Sequence, residues 1–318
     1  MRVAIFGGTG FVGSYITDAL IEAGMQPVVL VRPGHERRVR QAERCAVVVG
    51  DVADPSAVDT VLGQADAAIY NIGILREFPA RGITFAELQL EAPKRVIDAA
   101  ARLGVGRFLL MSANGVKPDG TAYQRTKYLA EQHLAASGLE GTVFRPSVVF
   151  GDPRGGMEFA TQLMHDIVDS ALPAPLFYRG LLPTGAGAFR LSPVHVRDVA
   201  RAFACALPSP ATVDRTLCLG GPEDLNWREI IERLAAVRGR HKLKVPVPAL
   251  GLATAAMLLD RFEAFPVTRD QLQMLLEGNT CAPAALHSLG IDPVAFDFEH
   301  LDYLSNPTDK QSWHQNAA

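Results

Sequence analysis

Tyr123 and Lys127 stand four residues apart in the stretch Tyr123-Gln124-Arg125-Thr126-Lys127. On a helix, that spacing puts both side chains on one face. An ammonium beside a phenol favours the phenolate, so the pair predicts a tyrosine whose pKa is lowered toward the range useful for proton transfer. Such a tyrosine gives or takes a proton at the oxygen of a carbonyl or an alcohol. Ser112, which ends the run Leu109-Leu110-Met111-Ser112, adds a hydroxyl that can hold a substrate carbonyl beside Tyr123. Y-x-x-x-K alone recurs by accident; the serine gives the spacing its chemical weight.

Phe6 to Gly13 (FGGTGFVG) points to a nucleotide and reads in two ways. From Gly8 it is G-x-G-x-x-G (Gly8, Gly10, Gly13), the fingerprint of a general dinucleotide domain. From Gly7 it is G-x-x-G-x-x-G (Gly7, Gly10, Gly13). In either register, glycines let a strand turn sharply and let backbone N–H groups of Thr9, Gly10, Phe11, Val12 and Gly13 approach a pyrophosphate. The helix that follows aims its partly positive N-terminus at the phosphates. The second strand ends in Val31-Arg32-Pro33, with no carboxylate before Glu36. Arg32, with Arg37 or Arg38, suits a ribose 2′-phosphate, so NADP(H) is expected as the preferred cofactor with NAD(H) as the alternative. Asp51 and Val52 fall where an adenine amine would be met, and Asn71 to Gly73 where the chain passes alongside the cofactor.

These residues need a frame. Apolar runs at Val3–Phe6, Pro27–Val31, Ala46–Val49, Asp66–Tyr70, Arg107–Met111 and Thr142–Arg145 read as strands. Helical spacing fills the stretches 10–23, 86–103 and 123–136. The alternation, with strands apolar on both faces, predicts an α/β fold with a Rossmann-type doubly wound parallel sheet covered by helices on both sides. After Pro146 the pattern breaks into proline- and glycine-rich pieces, one of them marked by a capping box of Asn226 and Glu229. The expected organisation is a dinucleotide-binding domain over 1–150 and a smaller C-terminal substrate lobe over 151–306. At least one segment of that lobe returns to the sheet, and a polar tail covers 307–318.

Composition narrows the classes. Of 318 residues, 48% are hydrophobic and 20% charged, which fits a folded soluble enzyme. The net charge of −3 comes with no long basic run, so no nucleic acid is recruited electrostatically. The four cysteines form no C-x-x-C pair, and the eight histidines show no metal spacing, so no metal is expected. Scattered thiols and a strand beginning almost at the first Met suggest a cytoplasmic protein, as monomer or homodimer. The longest apolar run, Pro248 to Leu259, is too short to span a bilayer. It reads as a buried helix, with a peripheral membrane contact as the alternative. Leu176, Phe177, Leu181, Leu182 and Phe189 hint at an apolar small-molecule substrate, or at loops packing on their own lobe. His195 and Asp198 read as structural rather than as acid/base partners.

Taken together, Gly7/Gly10/Gly13, Asp51, Ser112, Tyr123 and Lys127 resemble the short-chain dehydrogenase/reductase superfamily in its extended or atypical branch, over essentially the whole chain. Arg145-Pro146-Ser147-Val148-Val149-Phe150-Gly151 resembles that branch's R-P-x-x-v-y-G segment. The resemblance therefore implies that Pro146 and Val148 lie along the nicotinamide. Ser192 to Ala200 (SPVHVRDVA) resembles its h-V-x-D-V-A element. SANGVKPDGTAYQRTKYLAE and FPVTRDQLQMLLEGN resemble bacterial relatives of the accessory subunit of this type in respiratory complex I. The superfamily assigns Tyr123 as general acid/base, Ser112 as the group that polarises the carbonyl, and Lys127 as the ribose-binding residue. Where the family carries a relay asparagine, this chain has Gln89. After Ser112 it has Ala113-Asn114 in place of the threonine and acidic neighbours that sugar-nucleotide dehydratases use, which argues against dehydration. Two functions follow: an NAD(P)-dependent oxidoreductase acting on an apolar ketone or alcohol, or a non-catalytic NADP(H)-binding subunit of a larger assembly. A redox-sensing regulator is disfavoured because the Tyr/Lys pair is kept.

Overall fold

The computed structural model describes residues 1–249 and 269–305. They form two compact units, one made of Met1–Pro146, Val196–Leu219 and Ala284–Asp292, the other of Ser147–His195, Gly220–Pro283 and Pro293 onward. The first unit therefore takes back two segments from the second half of the chain. The expected apolar run 248–259 lies outside the described residues apart from Pro248 and Ala249, and so does the tail after Ser305.

The first unit is a seven-stranded parallel sheet with helices between its strands. In chain order it contains β1 (Arg2–Phe6), α1 (Phe11–Glu22), β2 (Gln26–Val31), β3 (Ala46–Val49), α2 (Pro55–Leu62), β4 (Ala67–Tyr70), α3 (Ala92–Leu103), β5 (Arg107–Met111), α4 (Ala122–Ala136) and β6 (Glu140–Pro146). Of the segments that follow in the second unit, β7 (Val149–Phe150), α5 (Phe159–Leu163), β8 (Ala174–Tyr178), β9 (Arg190–Leu191) and β10 (Val194–His195) come next. The chain re-enters the first unit as α6 (Val196–Ala206) and β11 (Arg215–Leu219). The spatial order is β11-β6-β5-β4-β1-β2-β3, which makes the gap between β1 and β4 the point where the winding reverses. Ligands of such sheets bind outside the carboxyl ends of the strands at that reversal.

Alternation along the strands decides which helices cover which face. Ala4, Phe6, Val28 and Leu30 pack with α2 and α3 residues such as Val58, Val61, Val96 and Ile97. On the other side α1 packs against α6, and Phe203 of α6 stacks on Phe144 of β6 at 4.1 Å between ring centroids. The edge strand β3 departs from the expectation of burial on both faces: Val47 and Val49 are 37% and 51% exposed. An edge strand has a neighbour on one side only, and here one face also lacks a covering helix.

The expected helix over 86–103 is likewise split. Glu87–Glu91 winds as one wide π turn before α3 begins. Pro93 has no N–H to give the Gln89 carbonyl, so the ordinary i→i−4 ladder breaks there.

The second unit continues with β12 (Leu225–Asn226), α7 (Trp227–Val237), β13 (Lys244–Pro248) and α8 (Arg269–Glu277). α9 (Ala284–Ser288) belongs to the first unit, against β11. Asn226 and Glu229 form the expected capping box at the start of α7. Leu176 and Phe177 lie on β8, buried with Trp227 and Ile231, and Phe189 packs against them, so these three serve this unit's own core. Leu181 and Leu182 alone of that group stay open, at 100% and 68% exposure. His195 is buried edge-on to Phe150. Asp198 is buried in α6.

Candidate active site

The turn between β1 and α1 constrains its glycines unequally. Gly7 has φ +97°, and a Cβ there would stand 3.0 Å from the Asn71 carbonyl carbon. Gly10 N donates to Gly7 O at 3.2 Å. A Cβ on Gly13 would lie 2.0 Å from Gly7 O, a backbone atom that no rotamer moves. Gly8 faces instead the Val29 side chain, at 2.8 Å from Cγ1. Backbone thus requires glycine at Gly7 and Gly13, whereas a Cβ on Gly10 would stand 3.5 Å from Gly7 O, an ordinary contact. Thr9, Phe11 and Val12 are half-buried around it. Gly10 caps α1 without a side chain, and no acidic residue occupies the first turn. The N–H groups at the start of α1 therefore meet no capping side chain and no neighbouring carboxylate of the first turn.

Around this turn, Arg32 is exposed just past β2, and its carbonyl accepts the His35 N–H at 3.0 Å. His35 is held below its ordinary pKa, by desolvation first and then by the charges of Arg38 and Arg32. Past the end of β2, the charges of Arg32 and Arg38 thus both bear on His35, with that of Glu36 opposing them. Asp51, exposed past β3, turns one carboxylate oxygen to the Ala53 N–H at 2.9 Å. Val52 is buried, and its carbonyl accepts from Arg95 at 3.0 Å. Asn71 N donates to Phe6 O at 2.8 Å, which ties the ends of β1 and β4 together. Gly73 approaches the chemistry: a Cβ there would lie 3.6 Å from Lys127 Nζ.

Helix α4 is started by Thr121, whose capping box with Gln124 fixes the first turn. One turn in, Lys127 is buried, donates to Met111 O at 3.2 Å, and places its ammonium 5.6 Å from the centre of the Tyr123 ring. Burial lowers its pKa to about 8, with the Glu131 charge acting in the opposite direction. Tyr123 itself meets Phe85 edge to face at 5.7 Å. The lowered phenol pKa expected from the pairing is not found; desolvation pushes it above its ordinary value. A charge over the ring face does little for the phenolate oxygen, while burial penalises the anion directly.

Ser112 also departs from expectation. It is buried at the end of β5, and its hydroxyl donates to Glu131. Glu131 is held in turn by Arg145 through Nε at 3.0 Å and Nη2 at 2.5 Å. Glu131 escaped the sequence reading although it continues the same helix face, four residues past Lys127 in Y-x-x-x-K-x-x-x-E. A cavity of about 10 Å³, room for a single water, is lined by Tyr70, Gln89, Ser112 and Lys127 among others. Gln89 commits its amide elsewhere, donating to Ile74 O at 2.6 Å and accepting from Thr126 Oγ1 at 3.3 Å. The buried Pro146 takes the Asn114 N–H on its carbonyl at 2.8 Å. Val148 belongs to the second unit and is half-buried there. Ser112, Tyr123, Lys127 and Gly73 therefore come together in the first unit, at the same sheet edge as the glycine turn. Among the described residues no group of His, Cys, Asp and Glu is arranged to hold a metal, and no helix is long and apolar enough to cross a membrane.

Comparison with known proteins places this geometry. Residues 3–220 match the NAD dependent epimerase/dehydratase family. The NADH-ubiquinone oxidoreductase 40 kDa subunit, mitochondrial, of Neurospora crassa is 25% identical, over 95% of this chain and 79% of that protein. A ceramide reductase of Caulobacter vibrioides is 26% identical, over 84% of this chain and 80% of its own length. The UDP-glucose 4-epimerase of Thermus thermophilus, solved in complex with NAD, shares the fold with a TM-score of 0.71. It is 21% identical over 96% of this chain and 98% of that one.

Proposed function

The chain belongs to the NAD dependent epimerase/dehydratase family, and from that premise we propose that it is an oxidoreductase that binds NADP(H) in preference to NAD(H) and interconverts a ketone and an alcohol on an apolar small molecule. One observation carries the reading: Tyr123 and Lys127 share a helix face, with the ammonium 5.6 Å from the ring centre and 3.6 Å from where a Gly73 side chain would begin. The bound dinucleotide supplies or accepts the hydride. Gly7, Gly10 and Gly13 with the N-terminus of α1 hold its pyrophosphate, Arg32 its 2′-phosphate, Asp51 and Val52 its adenine, and Lys127 its nicotinamide ribose. Tyr123 gives the proton to the ligand oxygen in reduction and takes it in oxidation. Because burial disfavours its anion, Tyr123 rests as the phenol, the form that donates. A relative named ceramide reductase supports the apolar ligand.

The test is a fluorescence titration with NADPH and NADH, followed by a screen of apolar ketones for oxidation of the preferred dinucleotide. Tyr123→Phe must then abolish turnover while leaving dinucleotide affinity intact. Unchanged turnover would falsify the assignment.

A second reading, a non-catalytic dinucleotide-binding subunit of a larger complex, is supported by the Neurospora relative and by the engagement of the Ser112 proton with Glu131. It expects bound NADPH that no ketone oxidises and co-purification with partner chains. Multiple turnovers by the isolated chain would exclude it.

A further inference from the structure

A serine hydroxyl has one proton, and a carboxylate accepts hydrogen bonds without giving any. Ser112 spends that proton on Glu131 Oε1. The carboxylate is not free to turn away, because Arg145 grips both of its oxygens, with Nε on Oε1 and Nη2 on Oε2. What Ser112 keeps for the cavity it lines is a pair of oxygen lone pairs. We propose that Glu131 is a positioning residue acting through Ser112: it holds the serine proton, so that Ser112 meets a ligand only as an acceptor and the subsite recognises a hydroxyl rather than a carbonyl. The inference rests on reading this site as one that handles a carbonyl/hydroxyl pair. A ligand hydroxyl can donate to Ser112, whereas a carbonyl finds no proton on that serine and depends on Tyr123 or the Lys127 ammonium for one. Discrimination therefore falls on the alcohol side of the reaction.

The Glu131 charge also acts on Lys127. That ammonium bonds Met111 O at the end of β5, stands over the Tyr123 ring and beside Gly73, feels the Glu131 charge from its own helix, and shares the small cavity's lining with Ser112 and Tyr70. Arg145, on β6, is turned to Glu131. Of these groups, Glu131 is the charge that raises the Lys127 pKa against burial.

Two readouts on the full chain test the proposal. The first is the affinity of 1-phenylethanol against acetophenone for the dinucleotide-loaded protein. A preference of about tenfold for the alcohol is expected, from one hydrogen bond made or left unmade. Glu131→Gln and Ser112→Ala should each bring the ratio to about one. Equal affinities in the parent protein, or a preference that survives both substitutions, overturn the proposal. The second readout needs no ligand: an NMR titration of ¹³C-labelled lysine. Lys127 should titrate at lower pH in Glu131→Gln, and an unmoved midpoint overturns the role of Glu131. Removing one partner of a buried pair can unfold a protein, so the double variant Glu131→Gln, Arg145→Gln serves as the backup, with the same direction expected. A loaded protein that binds neither probe counts against the reading of the site itself, and the Lys127 titration then decides on Glu131.

Discussion

Two strand-to-helix junctions at the carboxyl edge of one sheet are built in opposite ways. Between β1 and α1 the work is done by the absence of side chains. Gly7 sits at a positive φ, a Cβ on Gly13 would collide with the Gly7 carbonyl, and Gly10 caps α1 without a side chain. Between β5 and α4 the loop also turns on a glycine, Gly115 at φ +79°, but the chemistry is carried by side chains: Ser112, Tyr123, Lys127, Glu131 and Arg145 form one connected group. Steric necessity fixes the first junction. The second is fixed by which neighbour each proton finds, so identical residue types can do different chemistry there.

If that contrast is right, the largest functional effect comes from one atom of the second junction. Tyr123→Phe should lower kcat about 10²–10⁴-fold, with the NADPH dissociation constant and the melting temperature unchanged; a steady-state assay beside a binding titration checks it. At the first junction, Gly13→Ala sets a Cβ against backbone at 2.0 Å. It should cost about 1–3 kcal/mol of stability and most of the dinucleotide affinity, seen by thermal melts and fluorescence titration together.

pH tests the second junction from another side. Lys127 acts as the ammonium, and burial has brought its pKa down to about 8. Turnover should therefore be held below that pH and be lost as pH rises through it. A rate that stays flat well past that midpoint would show that the charge is not needed. Arg32→Ala should lower the NADPH:NADH affinity ratio by about tenfold, the scale of one charged hydrogen bond, leaving NADH binding as it was. The smallest effect is expected from Gly8→Ala, whose Cβ meets side chains alone: Val29 Cγ1 at 2.8 Å, then Ile5 Cγ2 at 3.3 Å and Thr17 Oγ1 at 3.4 Å. A few-fold loss of affinity, relieved by Val29→Ala, separates the two glycine registers; a loss as large as that of Gly13→Ala would reverse their assignment.

The glycine turn was legible in the residues themselves, up to its register, because φ > 0 and close backbone approach leave few residue types to choose from. The order of strands and helices through the first half was legible for a similar local reason, since periodicity reports which face is buried. Less was read where one proline breaks a helical pattern from within or where a distant residue decides the outcome. Pro93 turned an expected continuous helix into a π turn followed by α3. Exposure of Val47 and Val49 followed from β3 taking the sheet edge, a position the sequence of β3 does not state. Leu176, Phe177 and Phe189 hinted at an apolar ligand but bury themselves against Trp227.

By itself, the sequence determined that this chain builds a parallel α/β sheet with a glycine cradle for a dinucleotide and a tyrosine and lysine on one helix face. Those features depend on neighbours within about two turns of helix or one tight loop. Tertiary structure alone decided the protonation chemistry. It desolvated Tyr123 and so raised the phenol's pKa, and it brought Glu131 and Arg145 to the Ser112 hydroxyl from another helix and strand. A proton's place depends on desolvation and on contacts between residues far apart in the chain, and neither is written in the spacing of a motif.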